Sequence, residues 1–325
     1  MPILVDGDWR PTDSLTQGDN GEYERQPTTF RDRLGTDQFP AEAGRYHLYI
    51  ARACPWAHGA VLVRSLMGLE DAITMDVVDP IRIDNGWEFS PEKDGCTPDT
   101  QRGSEYLREI YTAADPDYTG RVTVPVLWDT HHETIVNNES IEIMRMLATE
   151  MADVGDGSVD LYPETHRDEI DRVVSAMYDP INNGVYRAGF AKTQEAYETA
   201  ATELFTALDH WEDVLEDQRY LAGDRLTIAD LRLFATLVRF DHVYHTHFKC
   251  NRRRIVDYPN LWNFTKEVYQ LPGVGETVNM AHITAHYYQT HTSINPTQIV
   301  PLGPDISFTD PHDRDRLPAT TPVHT

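Results

Sequence analysis

An apolar run passes directly into the predicted first turn of a helix at Arg45-Tyr-His-Leu-Tyr-Ile50-Ala-Arg-Ala-Cys54-Pro55-Trp-Ala57. The run predicts a β-strand over 45–50, and Pro55 suits the first helical turn, where its missing N–H costs nothing. Cys54 therefore lies at a helix N-terminus, whose amides and positive dipole end stabilise negative charge. Thiols in such positions have a pKa well below the usual ~8.5. We predict that Cys54 is a nucleophile; the alternative is a small buried core residue.

The residues that follow predict the first half of a mixed α/β domain. Strand 45–50, a helix over 55–67 and a second apolar strand over 73–78 follow one another. This order implies a parallel pair of strands joined by a crossover helix. The next connection, 79–120, is rich in Pro, Asp and Gly and contains Trp87. A connection of this length inside a compact domain is usually functional or disordered.

A β-hairpin and a helix complete this domain. The runs 122–128 and 133–136 predict two neighbouring strands, and a helix begins at 138–140. Proline removes a ladder hydrogen bond, so Pro125 within a strand-like run predicts a cis Val124–Pro125 bond at a turn. We therefore expect a βαβ–ββα domain of the thioredoxin type over 41–150.

The second half of the chain has helical periodicity. Thr227 and Asp230 form a capping-box pattern, in which Thr is the N-cap and the acid stands three residues later. We expect an all-helical domain over 163–303 and irregular segments over 1–40 and 304–325. The fold class is thus α/β followed by a helical bundle. The predicted helices cover about 164–180, 193–216, 227–243, 259–270 and 274–289.

Length and composition suit two globular domains. The chain has 325 residues, of which 40% are apolar and 10% aromatic. No apolar run reaches the ~18 residues of a membrane span, and the N-terminus lacks a signal-peptide pattern, so we expect a cytoplasmic protein with no membrane partner. Cys54, Cys96 and Cys250 are far apart, which argues against a disulfide framework or a zinc knuckle. His282 and His286 stand at i, i+4, but no matching Glu-x-x-His pattern or third ligand accompanies them, so we expect no metal site.

The charge of the chain excludes one class of partner and indicates an environment. There are 53 acidic and 28 basic residues, a net charge of −25, and only four of the basic residues are lysines. Nucleic-acid binding needs a basic face, so we exclude it. A lysine-poor, uniformly acidic surface is typical of organisms with molar salt in the cytoplasm, where a Debye length of about 3 Å relieves self-repulsion. We expect a halophilic protein whose melting temperature falls when molar KCl is replaced by dilute buffer.

An α/β domain of this type followed by helices resembles the cytosolic glutathione transferases. Specific motifs resemble their Xi class, the glutathionyl-hydroquinone reductases. One departure is Gly59, where many members of that class carry arginine, so a positive charge near the thiolate is missing. The matching motifs span about 45–303 and are Cys54-Pro-Trp-Ala-His58, Gly86-Trp-Glu-Phe89, Arg121-Val-Thr-Val-Pro-Val-Leu-Trp-Asp129, Asn138-Glu-Ser140, Asn182-Asn-Gly-Val-Tyr-Arg-Ala-Gly-Phe-Ala191, His286-Tyr-Tyr288 and Ile294-Asn-Pro296.

The resemblance implies a reductive cleavage. Cys54 attacks the sulfur of a glutathionyl-hydroquinone, hydroquinone leaves, and a second thiol resolves the mixed disulfide. Because no second cysteine is near Cys54 in sequence, the chemistry must be monothiol and ping-pong. The aromatic carbon needs a proton, and the resemblance implies that Tyr186 supplies it. Tyr244 and Tyr287, with Tyr288 as the one-residue alternative to Tyr287, would stabilise the thiolate by hydrogen bonds. Any of these tyrosines could instead be a packing residue.

The implied ligand has a γ-glutamyl end with a free amino group and a carboxylate. Glu139 and Ser140, at a helix start, offer a carboxylate for the ammonium and donors for the carboxylate, although they could be ordinary capping residues. The backbone of Val124 would pair with the cysteinyl backbone of the ligand. Glutathione and γ-glutamylcysteine share these parts, so either could be the co-substrate, and no metal is expected. The predicted thiol-binding set is Trp87, Arg121, Val122, Thr123, Val124, Glu139 and Ser140.

Two other function classes remain open on the sequence alone. One is a monothiol thioltransferase or dehydroascorbate reductase, like the omega-type transferases that also use cysteine. The other is a transferase-like binding protein without catalysis. In each case the partners would be small molecules, and we expect a homodimer.

Overall fold

The structure, a computed structural model, describes residues 2–10, 20–155 and 159–320. They divide into two compact units. The first unit consists of the described parts of Met1–Thr16, Arg25–Ser158 and Asn279–Gln298. The second consists of the described parts of Gln17–Glu24, Val159–Val278 and Ile299–Thr325.

A four-stranded sheet in the order β4-β3-β5-β6 forms the centre of the first unit. β3 (Tyr46–Ile50) and β4 (Ile73–Val77) are parallel and are joined by α1 (Pro55–Leu66). β5 (Val126–Asp129) is antiparallel to β3, and β6 (Thr134–Asn137) is antiparallel to β5. The predicted βαβ–ββα order is confirmed, and so is the thioredoxin-like fold.

Two helices of the first unit pack closely against each other, and the central strand β3 is fully buried. All five residues of β3 are buried, and burial of a side chain such as Leu48 stabilises the fold by about 1.5–3 kcal/mol. α1 packs against α3 (Ser140–Thr149). A Cβ on Gly59 of α1 would lie 2.6 Å from the sulfur of Met144, which is too close for a real contact. Gly59 therefore allows the two helices to approach each other. This close packing is a reason for glycine at a position where many Xi-class members carry arginine.

A buried ion pair ties the start of β3 to the end of β5. Arg45 donates two hydrogen bonds of 2.8 Å to the carboxylate of Asp129, and Nδ1 of His132 lies 2.6 Å from the same carboxylate. Burial alone would raise the pKa of Asp129, but hydrogen bonds from Arg45, the His131 amide and His132 lower it to about 2.

The predicted irregular segment 1–40 instead contains a β-hairpin. β1 (Ile3–Val5) and β2 (Asp8–Arg10) pair in antiparallel register. Trp9 of this hairpin donates a hydrogen bond of 2.9 Å from its indole N–H to the carbonyl of Asp84, in the connection after β4. Single contacts of this kind, not a periodic apolar pattern, order the segment, so periodicity did not reveal it.

A second part of the segment lies along the edge strand β6. Arg31 forms an antiparallel bridge with Asn137, and the Asp32 amide donates to the carbonyl of Val136 at 3.0 Å. Arg31 also forms a two-point ion pair with Glu142 of α3. We call residues 28–34 the edge segment.

Helices make up the second unit, and the predicted helical periods are confirmed apart from their ends. Thr227 receives the expected capping box from Asp230, whose carboxylate accepts from the Thr227 amide at 2.8 Å. The prediction did not include the short helix α5. The helices are α4 (Arg167–Met177), α5 (Gly184–Phe190), α6 (Gln194–Asp217), α7 (Ile228–Arg239), α8 (His245–His247) and α9 (Pro259–Gln270). Besides α1 and α3, the first unit contains α2 (Leu107–Ala114) and α10 (Met280–Thr290). No helix among the described residues could cross a membrane.

The position of α10 differs from the prediction, which placed it in the helical domain. It belongs to the first unit because two histidines attach it to the connection after β4. Nε2 of His282 lies 2.7 Å from the carbonyl of Asp94, and Nδ1 of His286 lies 2.6 Å from the carbonyl of Pro80.

The C-terminal tail is irregular in its described part, 304–320, except for one 3₁₀ turn at Arg314–Arg316. Within this turn, the side chain of Arg314 is fully buried. Its guanidinium donates to the carbonyls of Leu215 at 2.6 Å and Arg219 at 2.8 Å. These carbonyls lie at the C-terminal end of α6, where a cation is favourable. The last residues of the predicted tail, 321–325, lie outside the described residues.

Candidate active site

Cys54 is the N-cap residue of α1, the position that the sequence predicts. Its backbone is extended, with φ −79° and ψ 120°, and its amide donates to the carbonyl of Ala51 at 3.0 Å. The partly exposed Sγ lies 3.6 Å from the carbonyl oxygen of Val124. The sulfur thus lies between the N-terminus of α1 and the turn that precedes Pro125.

The chain before this turn is fixed by two tyrosines. The Val124–Pro125 bond is cis, as predicted. Tyr111 donates its hydroxyl to the carbonyl of Thr123 at 2.8 Å and accepts from the Thr123 amide at 3.2 Å. Tyr118 donates to the carbonyl of Arg121 at 3.0 Å. The backbone that leads to Val124 is therefore held at Arg121 and at Thr123.

Glu139 and Ser140 lie at the N-terminus of α3, and Ser140 is buried. Glu139 is the N-cap residue, but its side chain makes no capping hydrogen bond to the helix. Its Oε2 instead accepts a hydrogen bond of 3.1 Å from the hydroxyl of Thr28. The carboxylate is therefore not an ordinary side-chain cap.

Trp87 is held by aromatic and backbone contacts in the connection after β4. Its ring is only 4% exposed and stacks on His286 of α10, with 5.2 Å between centroids. The guanidinium of Arg82 also lies over the ring at 5.1 Å. Gly86 before it has φ +84°, and a Cβ there would lie 2.9 Å from the ring of Trp9, so only glycine fits. The indole N–H of Trp87 has no hydrogen-bond partner among the described residues.

The first unit also contains the tyrosines of α10. Tyr287 and Tyr288 are both buried. The ring of Tyr287 contacts His286 and His291 edge-on, with centroid distances of 5.2 and 5.5 Å. Because both residues are buried, burial does not distinguish them. The assignment of Tyr287, with Tyr288 as the alternative, as a thiolate-stabilising residue stays a prediction.

The other two predicted tyrosines lie in the second unit, in an aromatic group that we call the tyrosine cluster: Tyr186, Phe190, Tyr244 and Phe248. Tyr186 and Tyr244 have centroids 6.0 Å apart. Phe248 meets Tyr186 edge-on at 5.5 Å and stacks on Tyr244 at 5.7 Å. Phe248 therefore contacts both predicted tyrosines.

Two π-helical turns adjoin this cluster, Tyr178–Asn182 before α5 and Phe240–Tyr244 after α7. Such turns are rare and are frequent at functional sites. The first is attached to α7 by Asn182, whose amide donates to the hydroxyl of Thr236 at 2.9 Å.

A glycine permits the contact between α5 and Phe248. A Cβ on Gly189 would lie 2.2 Å from Cγ of Phe248, so no larger residue fits without moving the ring. Gly189 thus sets how closely Phe248 approaches α5, and through it the packing of both tyrosines.

Sequence reasoning missed three residues that support these groups. Arg25 places its guanidinium 4.2 Å from the ring centroid of Trp56, which supplies a positive charge near the start of α1. Thr28 binds Glu139, and Tyr111 holds the turn before Pro125. None lies in a periodic or motif-like pattern. The structure also shows no group of His, Cys, Asp or Glu suited to a metal ion in the residues it describes.

Two family models match the two parts of the chain. A model described as the N-terminal domain of glutathione S-transferase matches residues 53–150. A model described as its C-terminal domain matches residues 194–267. Both matches agree with the observed thioredoxin-like and helical parts.

Curated relatives and solved structures extend this likeness over nearly the whole chain. The glutathionyl-hydroquinone reductase YqjG of Escherichia coli K12 is 47% identical over 97% of this chain and 99% of that protein. The glutathionyl-hydroquinone reductase PcpF of Sphingobium chlorophenolicum is 50% identical over 94% and 96%. A Xi-class glutathione transferase from Natrialba magadii superposes with a TM-score of 0.93 at 57% identity, covering 98% of each chain. The glutathione-bound structure of YqjG superposes with a TM-score of 0.89 at 46% identity, covering 96% and 99%. This chain therefore belongs to the glutathione transferase superfamily and, within it, to the Xi class of glutathionyl-hydroquinone reductases.

Proposed function

We propose that this protein is a thiol-dependent reductase that converts glutathionyl-hydroquinones to hydroquinones. The observation that carries the proposal is the single thiol of Cys54 at the N-terminus of α1, 3.6 Å from the carbonyl of Val124 beside a cis proline. Two relatives that are close to half identical to this chain carry the name of this activity.

The first half-reaction breaks the aryl carbon–sulfur bond. The Cys54 thiolate attacks the glutathionyl sulfur, a sulfur–sulfur bond forms, and the bonding pair of the carbon–sulfur bond moves to the aromatic ring. The ring carbon takes a proton from the acid, for which Tyr186 is the proposed donor, and hydroquinone leaves. The products are hydroquinone and a mixed disulfide of Cys54 with glutathione.

The second half-reaction restores the enzyme. A second thiol, as thiolate, attacks the glutathione sulfur of the mixed disulfide, and the Cys54 thiolate leaves. The thiol carried by glutathionyl-hydroquinone and the second thiol leave together as a disulfide. Tyr244 and Tyr287 are the proposed hydrogen-bond donors to the thiolate.

The predicted thiol-binding set supplies groups of the right chemistry. Glu139 offers a carboxylate that the helix does not use, and Ser140 stands at the helix N-terminus, where a ligand carboxylate is favoured. Trp87 offers a buried N–H without a partner among the described residues. The E. coli relative binds glutathione in its structure. Glutathione or γ-glutamylcysteine is the proposed co-substrate, and comparison of the two as reductants decides between them.

The test is an assay for hydroquinone release from a glutathionyl-hydroquinone at high salt. Wild-type protein should turn over, whereas Cys54→Ser should lose more than nine-tenths of the activity, about a tenfold loss or greater. Cys96→Ser is the matched control. The Cys96 thiol donates to the carbonyl of Val78, and burial and the charge of Asp79 raise its pKa to about 11, so it should be a poor nucleophile. Equal activity of the two variants would contradict the assignment of Cys54.

A comparison of two substrates, a small mixed disulfide and a glutathionyl-hydroquinone, distinguishes this reductase from an omega-like thioltransferase. A thioltransferase would reduce a small mixed disulfide faster than it cleaves the aryl thioether. We also propose a cytoplasmic homodimer, for which light scattering should give twice the chain mass of 37.1 kDa.

A further inference from the structure

The edge segment brings a hydroxyl to the proposed ammonium ligand. Oγ1 of Thr28 donates to Oε2 of Glu139 at 3.1 Å, across 111 positions of sequence. The Glu139 side chain is half-buried and makes no cap to α3. Its carboxylate is therefore oriented from outside its own helix.

The position of Thr28 is fixed by the pairing of the edge segment with β6. The Asn138 amide donates to the carbonyl of Phe30 at 3.1 Å, and the Asp32 amide donates to the carbonyl of Val136 at 3.0 Å. Stacking of Phe30 on Tyr118, with centroids 5.5 Å apart, holds the same residues. Thr28 lies two residues before Phe30 and four before Asp32, so it directly precedes the part of the edge segment that is attached to the sheet.

Arg31 of the edge segment carries a positive charge that interacts with the charge of Glu139. The pKa of Arg31 is raised, chiefly by its hydrogen bond to Glu142 and also by the negative charge of Glu139. Because Arg31 already pairs with Glu142, it does not neutralise Glu139 by a direct contact. Arg31 therefore does not occupy the Glu139 carboxylate, while the hydrogen bond from Thr28 restricts its rotation.

We propose that Thr28 is a positioning residue for recognition of the γ-glutamyl amino group. Its hydroxyl occupies Oε2 of Glu139 and turns the other carboxylate oxygen toward the α-ammonium of the thiol. A charge-assisted hydrogen bond of this kind is strong and depends on direction. Thr28 thereby favours thiols with a free α-amino group over thiols without one. The inference rests on the proposed function and on the role given there to Glu139.

Steady-state kinetics of Thr28→Val tests this role. Valine keeps the shape and removes the hydroxyl. The KM for glutathione should rise roughly fivefold to tenfold, which lies within the range of the net contribution of one typical hydrogen bond. The kcat should not change, because the amino group is remote from the reacting sulfur. Thr28→Ser, which keeps a hydroxyl, should restore the KM of the wild type.

A glutathione analogue without the amino group gives the decisive comparison. Glutaryl-cysteinyl-glycine lacks only that group, so Thr28→Val should leave its KM unchanged. Thr36→Val is the matched control, because Thr36 is a threonine upstream of the sheet whose hydroxyl donates to the Arg33 carbonyl at 3.2 Å, away from Glu139. It should change neither KM.

Several results would overturn the inference. They are an unchanged glutathione KM in Thr28→Val, an equal rise for both thiols, or an equal rise in Thr36→Val. If Thr28→Val does not fold, Thr28→Ala and Thr28→Ser form the same pair without and with a hydroxyl. Glu139→Gln separates the two proposals: a raised KM there with none in Thr28→Val removes only the role of Thr28. Absence of any turnover by the wild type removes the proposed function itself.

Discussion

The two units hold their proposed functional groups by different means. In the first unit, Cys54, Val124 and Glu139 lie where a helix begins or a strand is about to begin, so the backbone fixes them. In the second unit, Tyr186 and Tyr244 lie within helical turns, and contact with Phe248 fixes their rings. Backbone ends offer amides and carbonyls that bind charge, whereas packing in the tyrosine cluster orients side-chain hydroxyls.

This difference predicts different kinetic effects. Changes among the thiol-binding residues of the first unit should alter the KM for the thiol. Changes in the tyrosine cluster should alter the rate of carbon–sulfur cleavage and leave thiol binding intact. A variant of one unit that changed the kinetic constant assigned to the other unit would contradict this division.

Tyr186→Phe should have the largest effect in the second unit. Removal of a general acid costs roughly 100-fold or more in kcat for glutathionyl-hydroquinone. Reduction of a mixed disulfide between glutathione and a small thiol needs no proton on carbon, so its rate should not change. Tyr197→Phe is the control, since the Tyr197 hydroxyl donates to the carbonyl of Lys249 on the same unit. Equal losses on both substrates would show that Tyr186 has a structural role and is not the acid.

Gly189→Ala should have the next largest effect. The new Cβ would displace Phe248 and so shift Tyr186 and Tyr244, and a small misplacement of this kind costs about tenfold in kcat. The thiol KM should stay at the wild-type value. Phe248→Leu combined with Gly189→Ala should relieve the overlap and recover the stability of the fold without the activity.

Gly184→Ala on the same helix is the control for this change. Its Cβ would lie 3.2 Å from the Asp179 carbonyl oxygen and 3.9 Å from the Leu204 side chain, away from Phe248. A loss of activity there equal to that of Gly189→Ala would mean that α5 tolerates no side chain at either position, and that Phe248 is not the reason.

The sequence predicts the first unit better because its groups follow local rules. A strand, a cysteine and a proline in succession identify the N-cap at Cys54, and Pro125 within an apolar run identifies the cis bond. The βαβ–ββα order follows from periodicity and from the connection rules for parallel strands. These signals lie within a few residues of the groups that they identify.

The remaining features depend on contacts between distant residues. Thr28 binds Glu139 only because the edge segment pairs with β6, and nothing in Gln26-Pro-Thr-Thr-Phe30 indicates this partner. The sequence did not predict α5 because this helix has only seven residues, two of which are glycines at 184 and 189. Glycine disfavours an isolated helix. Packing against α6 supplies what the propensity lacks.

The response to acid should differ between the units and gives the smallest effect. Burial, with a minor contribution from Lys249, lowers the pKa of His247 beside the tyrosine cluster to about 4 from 6.5. The unfolded chain therefore takes up the proton first, so this contribution to stability is complete above pH 6.5 and is lost as the pH falls toward 4. Asp129 in the first unit has a pKa of about 2 instead of 3.8, so its contribution is lost only below about pH 4.

Hydrogen exchange measured for each unit between pH 7 and 5 should detect this difference. Burial raises the pKa of Asp230 in the second unit to about 7, which adds stability as the pH falls, so the His247 contribution is measured as the difference between wild type and His247→Gln. Between pH 7 and 6 this difference in protection should fall by less than about 1 kcal/mol, and the first unit should lose none from Asp129. The exposed His210→Gln on α6 should behave as the wild type. If both units lost protection in parallel from pH 6.5 downward, with or without His247, a global effect of charge would explain the response better than one buried imidazole.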